Sequence, residues 1–279
     1  MVDAEISPSP LLPGCTERRI VRWRGEAGES MIDRIAEEVP IAMHYNDRSF
    51  AVMMATPCDL EDFALGFSLS EGLIKTPDQL LGVEARERME GIELAMTVPA
   101  DAPAAHLERN AERLLPGRGS CGICGTRELE DVVRQPDPIR EGKHFASSAL
   151  KRALAELHSH QPMNTATGST HAAAWAHADG RIVLVREDVG RHNALDKLTG
   201  AMRRAGESAE DGMLLISSRA SYEMVTKAAS AGIGLVAAIS APTALAIELA
   251  RSAGVCLIGF ARPDGYNIYT HPERLHTRN

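Results

Sequence analysis

Two rhythms of hydrophobic and polar positions run along this chain, and the change between them divides it. Residues 1–15 are rich in proline and show no period, which predicts a disordered lead. In IAMHYNDRSFAVMMAT, two apolar runs flank Asn46-Asp47-Arg48-Ser49, a hairpin pattern with turn-forming residues at the junction. Leu60, Phe63, Ala64, Phe67 and Leu69 then follow helical spacing behind acidic residues, with Gly72 as the stop. A second strand pair, LGVEARERMEGIELAMTV, turns at Glu90-Gly91, and APAAHLERNAERLL reads as a helix before Pro116. Together these elements predict a small α+β domain over 16–115.

Periodicity is lost over 116–145, which is glycine-rich and then polar and broken by proline, the pattern of a flexible loop and linker. It returns over 146–279. ASSALKRALAELHSH predicts a helix capped by Ser147 or Ser148. HAAAWAHADGRIVLVRED predicts a hairpin through Ala178-Asp179-Gly180, and GRHNALDKLTGAMRRAG a helix stopped by glycine. Strand and helix then alternate through MLLIS, SYEMVTKAASAG, LVAAIS, PTALAIELARSAG and VCLIGF, and a PDG turn leads into an edge strand, YNIYTH. Apolar runs separated by helices are the pattern of parallel strands joined by right-handed crossovers, with helices on both faces. The fold class is therefore α/β with a smaller N-terminal α+β domain.

This alternation has a geometric consequence. The three successive strands end at Ser217-Ser218-Arg219, at Ser240-Ala241-Pro242-Thr243 and at Phe260-Ala261-Arg262, so these polar ends should line one edge of the sheet. Ligands of open α/β sheets bind at that edge. Ser240 with Pro242-Thr243 reads as a capped helix start whose free N–H groups suit a phosphate, and Arg219 and Arg262 add positive charge. Turn chemistry and solvated arginines would account for the same residues without a ligand.

Composition narrows the function. A formal charge of −8 argues against nucleic acid or an anionic membrane as the main partner, because both need a basic surface. The most apolar stretch, Gly232 to Ala250, is interrupted by Ser240, Pro242 and Glu248, so no membrane span is expected. Five cysteines without framework spacing, behind an N-terminus carrying acids where a signal peptide carries Lys or Arg, predict a reducing cytoplasmic setting.

The chemistry concentrates in GRGSCGICG, where Cys121 and Cys124 lie among Gly117, Gly119, Gly122 and Gly125. A closed zinc site needs a second pair, and Cys15, Cys58 and Cys256 stand alone. A mixed site completed by His171 or His192 stays open. A thioredoxin-like dithiol has this spacing but belongs at a strand–helix junction, whereas glycines on both sides make a mobile arm. Such an arm suits a thiolate that must visit two places, with Arg118 and Arg127 near enough in sequence to favour it. THAAAW has the look of the histidine motif of zinc deaminases. Position 173 is Ala where that motif has Glu, and the CxxC precedes the histidine instead of following it, so deaminase chemistry is not expected.

GRGSCGICG, TGSTHAAAW, REDVGRHNALDKL, SSRASYEMVTKAASAGI, SAPTALAIELA and LIGFARPDGYNIYTHPERL, in this order, resemble the FdhD family of sulfurtransferases that mature formate dehydrogenase. The resemblance runs from about Thr16 to the C-terminus. It implies a cytidine-deaminase-like mixed sheet with a smaller N-terminal domain, in a homodimer. It also implies that sulfur is taken from a cysteine desulfurase and delivered to the molybdenum cofactor bearing two molybdopterin guanine dinucleotides, for which GDP is a fragment. Cys121 falls on the family's persulfide-bearing cysteine and Cys124 on its second cysteine. Phe260, Ala261, Arg262, Pro263, Asp264 and Gly265 fall on its cofactor-binding segment. Ser217, Ser218, Arg219, Ser240 and Thr243 would extend that pocket, and Arg186, Asp188, Arg191 and His192 would complete it from the hairpin–helix junction. A CxxC oxidoreductase and a non-catalytic chaperone of the guanine-bearing cofactor are the alternatives.

Overall fold

A computed structural model describes residues 11–107, 136–139 and 143–276. The chain opens with a long antiparallel ribbon, β1 (Cys15–Arg24) with β2 (Ala27–Ala36). β3 (Val39–Tyr45) and β4 (Arg48–Ala55) follow as the expected hairpin. Its turn is only Asn46-Asp47, because Arg48 already pairs with Tyr45; both turn residues take positive φ, which matches the twist of a two-residue hairpin. α1 (Leu60–Ser70) comes next. β5 (Gly82–Arg88) and β6 (Gly91–Thr97) then complete a four-stranded sheet of order β4-β3-β6-β5. Of the helix expected over APAAHLERNAERLL, the described part is a single 3-10 turn, Pro103–His106.

The second half is built on a six-stranded mixed sheet. β7 (Phe145–Ala146) leads directly into α2 (Ser147–Glu156), and a short α3 (Pro162–Thr167) follows. Neither Ser147 nor Ser148 caps α2. Ala146 holds the cap position because it is paired in β7, which puts both serines inside the first turn. β8 (His171–His177) and β9 (Ile182–Asp188) form the hairpin, and α4 (Arg191–Ala205) ends at Gly206 in the left-handed region. β10 (Gly212–Ile216), α5 (Tyr222–Ser230), β11 (Leu235–Ala238), α6 (Ala244–Ser252) and β12 (Cys256–Arg262) supply the alternation. β13 (Gly265–Ile268) is the edge strand, and β14 (Leu275–His276) pairs with β7. The order is β13-β12-β11-β10-β8-β9, with β10, β11 and β12 parallel and the others antiparallel to their neighbours.

Period-two alternation divides this sheet's side chains between two cores. Leu214, Ile216, Val236, Ala238 and Leu257 face α4, α5 and α6, whereas Met213, Leu215, Leu235, Ala237 and Ile258 face α2. Each fully buried leucine or isoleucine contributes about 1.5–3 kcal/mol. The small sheet buries Ile41, Met43, Leu94 and Met96 against Phe63 and Phe67 of α1.

α1 and α4 join the two halves. A Cβ at Gly66 would collide with the Asp196 carbonyl, and one at Gly200 with the Asp62 carbonyl, so the two helix backbones touch through reciprocal glycines. Charged groups along this seam are paired. Asp188 and Lys197, both fully buried, lie 2.7 Å apart. Lys197 also donates to the Thr56 carbonyl, and Asp188 accepts from the Thr56 N–H. Asp62 meets Arg186 and Arg204, and Asp196 meets Lys227.

Candidate functional site at the sheet edge

The C-terminal ends of β10, β11 and β12 lie side by side, as their parallel pairing requires. β8 runs the other way, so its first residue, His171, stands at the same edge; the end of β9, Asp188, pairs with it. The edge therefore reads Phe260-Ala261-Arg262, Ser240, Ser217-Ser218-Arg219, His171 and Asp188. From β12 to β8 is three strand spacings, roughly 14 Å.

At the β12 end the backbone is irregular. The register shifts between Gly259 and Arg262, and Phe260 takes φ 51, a left-handed conformation that costs a non-glycine residue about 1–2 kcal/mol. This strained phenylalanine is half exposed. Such strain collects at ligand clamps because a surrounding framework has to hold it. The Phe260 N–H donates to the Ser240 carbonyl at 3.1 Å, which fixes β12 to the β11 end. Arg262 is folded back, its guanidinium donating to the Ile239 carbonyl at 2.6 Å and to the Ala261 carbonyl at 2.8 Å. Pro263, Asp264 and Gly265 are exposed in the tight turn into β13. Ala261 is fully buried in the α2-side core, so only its backbone is available to a ligand.

The middle of the edge departs from expectation at the start of α6. Thr243, not Ser240, is the N-cap, and its hydroxyl accepts from the Ala246 N–H. Pro242 precedes the cap instead of lying in the first turn, because a bridge between Ala220 and Pro242 keeps the chain extended that far. The Ser218 hydroxyl is buried and donates to the Arg219 carbonyl. The Ser217 hydroxyl accepts from the Ala172 N–H at 2.9 Å and lies 3.4 Å from His171 Nδ1. Arg219 is exposed and forms no ion pair among the described residues.

At the hairpin–helix junction the four predicted residues part company. Arg186 turns towards α1 and pairs with Asp62, and Asp188 is held by Lys197, the Gly190 N–H and Asn193; these two belong to the seam. Arg191 and His192 remain at the edge, on the first turn of α4. The His192 Nε2 lies 2.7 Å from Glu223 on α5, outside hydrogen-bond alignment. His171 is pushed below the ordinary histidine range, first by burial and then by the neighbouring charges of Arg191 and His192. Glu223 had escaped the reading of the sequence. Its signal there was Ser221-Tyr222-Glu223 at a helix start just beyond a polar strand end.

Cys121 and Cys124 lie outside the described residues. The three described cysteines, Cys15, Cys58 and Cys256, are free. Burial pushes Cys58 up to about 11 and Cys256 up to about 12, and raises Cys15 as well, so all three stay protonated near neutrality. No group of residues suited to hold a metal ion occurs among the described residues. No helix among them is long and apolar enough to cross a membrane.

Comparison with known proteins places this geometry in a family. Sulfur carrier protein FdhD of Xanthomonas campestris pv. campestris (strain B100) is 51% identical over 267 residues, covering 96% of this chain and 94% of the relative. The protein of that name from Cupriavidus necator is 49% identical, covering 92% of this chain and 88% of its own length. The one from Bordetella petrii is 45% identical over 279 residues, covering 99% and 100%. A crystal structure from Desulfotalea psychrophila, of a protein assigned as a formate dehydrogenase accessory protein, shares the fold at a TM-score of 0.72 and 24% identity, covering 95% of this chain. The FdhD/NarQ family model matches residues 36–276, and the chain belongs to that family.

Proposed function

We propose that this protein is a sulfur carrier that serves formate dehydrogenase, with Cys121 as the carrying residue. The observation that carries the reading is near full-length similarity to proteins named sulfur carrier protein FdhD, in a chain whose CxxC has no competing reactive thiol among the described residues. The donor is a cysteine desulfurase bearing a persulfide. The Cys121 thiolate attacks the outer sulfur of that persulfide, a new S–S bond forms on Cys121, and the donor cysteine leaves as thiolate. Delivery as sulfide breaks the Cys121 S–S bond and takes up two electrons. Cys124 supplies them by attacking the inner sulfur and closing a Cys121–Cys124 disulfide as hydrosulfide departs.

The acceptor in this reading is the molybdenum cofactor carrying two molybdopterin guanine dinucleotides, bound as substrate along the sheet edge. Support comes from the strained, half-exposed Phe260, from the open turn at Pro263 to Gly265, and from Arg219. Arg262, occupied with two carbonyls, shapes this end of the edge more than it reaches for a ligand. The test is formate dehydrogenase activity in cells that lack the wild-type protein and carry Cys121→Ala. Complete loss of activation with normal accumulation of the variant is expected. Normal activation would exclude the covalent mechanism and favour a chaperone.

A further inference from the structure

Helices α4 and α5 both begin at the sheet edge, after β9 and β10, and neither has a side chain capping its first turn. Gly190 has none to offer, and the Ser221 hydroxyl faces Glu223 at 3.5 Å instead of the backbone. Free N–H groups at a helix start attract anions, but by themselves they define no site. The first two residues of α4 supply what is missing. His192 is 2% exposed and its Nδ1 has no partner, while the Nε nitrogen of Arg191 is likewise enclosed and unpartnered. Enclosing polar nitrogens without partners costs about 1–3 kcal/mol each, so a fold retains them where something else pairs with them.

The surrounding charges decide the sign of that partner. Asp188 is neutralised by Lys197 at 2.7 Å, and Glu223, in the first turn of α5, has the His192 ring nitrogen Nε2 at 2.7 Å. Arg191 has no acidic partner among the described residues, and α4 carries no acidic residue in its first turn. His171, beside the Ser217 hydroxyl, completes the set, and its proton affinity is lowered first by burial and then by the neighbouring Arg191 and His192, with Asp188 opposing them. An anion placed among these groups would satisfy the enclosed nitrogens and offset the Arg191 charge together.

We infer that Arg191, His192, His171 and the starts of α4 and α5 form an anion subsite for a phosphate-class group, separate from the Phe260–Gly265 segment. The two lie roughly 14 Å apart along the edge, three strand spacings. That separation suits a long ligand gripped at two points, with phosphate at the α4–α5 end. This inference deepens the cofactor-binding reading and rests on it for the identity of the ligand, but the subsite is testable with a simple anion.

The experiment is calorimetric titration of inorganic pyrophosphate into the full chain and four variants. Wild type and Lys151→Ala should bind alike, since Lys151 is exposed on α2, outside the edge. Arg191→Gln should weaken binding about tenfold or more, the effect of losing a charge-assisted hydrogen bond, and Arg191→Lys should recover part of it. His171→Gln should weaken binding less. Circular dichroism of each variant identifies any that fails to fold, and Arg191→Lys then carries the comparison with wild type. No binding to wild type, or binding indifferent to both Arg191 substitutions, would overturn the subsite. Persulfide loading of Cys121, followed separately by mass spectrometry, keeps failure of the subsite distinct from failure of the sulfur-carrier reading.

Discussion

The α1–α4 seam and the sheet edge share the first turn of α4 yet treat charge in opposite ways. In the seam, Asp188, Lys197, Asp62, Arg186, Asp196 and Lys227 each find an opposite charge or a hydrogen-bond partner. At the edge, one turn away, Arg191 and His192 keep enclosed nitrogens without partners, and Phe260 keeps a strained backbone. His192, at 2% exposed, is as buried as the seam charges, so burial does not separate structural from functional residues here. Completeness of charge pairing does, although the seam too keeps one unpartnered polar atom, Asn193 Oδ1. A satisfied buried charge holds the fold together, whereas an unsatisfied one marks where a ligand belongs.

If that distinction is right, substitutions in the seam damage stability and those at the edge damage binding. The largest stability effect should come from Lys197→Met, which strands Asp188 in the interior. A loss of about 3–5 kcal/mol is expected, read from the denaturant midpoint. A loss below about 1 kcal/mol would mean that the pair is not structural. Gly200→Ala should follow, at about 1–3 kcal/mol, because the added methyl has only the Asp62 backbone of α1 to displace. Thermal unfolding of that variant gives the number directly.

Phe260→Gly should leave stability unchanged or raise it by up to about 1 kcal/mol. Glycine relieves the left-handed strain and gives back part of the gain as chain entropy. Calorimetry of the same variant should show weaker GDP binding, and unchanged binding would remove Phe260 from the site. The smallest effect is a pH dependence. His171 holds its proton less tightly in the fold than in the unfolded chain, so the unfolded state binds more protons just below the ordinary histidine range, and stability there rises with pH. His171→Gln should flatten the slope of stability between about pH 5 and 7. An unaltered slope would mean that the site does not perturb this histidine.

Much of this fold was written in local pattern. The alternation from Met213 to Phe260 specified the parallel strands and their shared edge, because strands buried on both faces and separated by amphipathic helices have few other arrangements. Turn chemistry at Asn46-Asp47 and at Pro263-Asp264-Gly265 was equally plain. Helix starts were less so. The serines at 147, 148 and 240 are good caps by type, but pairing of Ala146 in β7 and of Pro242 with Ala220 moved both boundaries. Partner choice was not legible at all. Nothing local in REDVGRHN tells that Arg186 and Asp188 turn inward to α1 and Lys197 while Arg191 and His192 stay at the edge, since those partners lie on elements brought together only by the tertiary fold. Glu223 was missed for the same reason.

The central claim is that Cys121 carries sulfur, and the most direct measurement is mass spectrometry of the purified protein after exposure to a cysteine desulfurase and cysteine. An added mass of about 32 Da, one sulfur atom, is expected on the peptide containing Cys121. It should disappear on reduction and be absent from Cys15, Cys58 and Cys256, whose thiols stay protonated. A protein that gains no sulfur on Cys121, even with Cys124→Ala in place to block its release as hydrosulfide, would contradict the account.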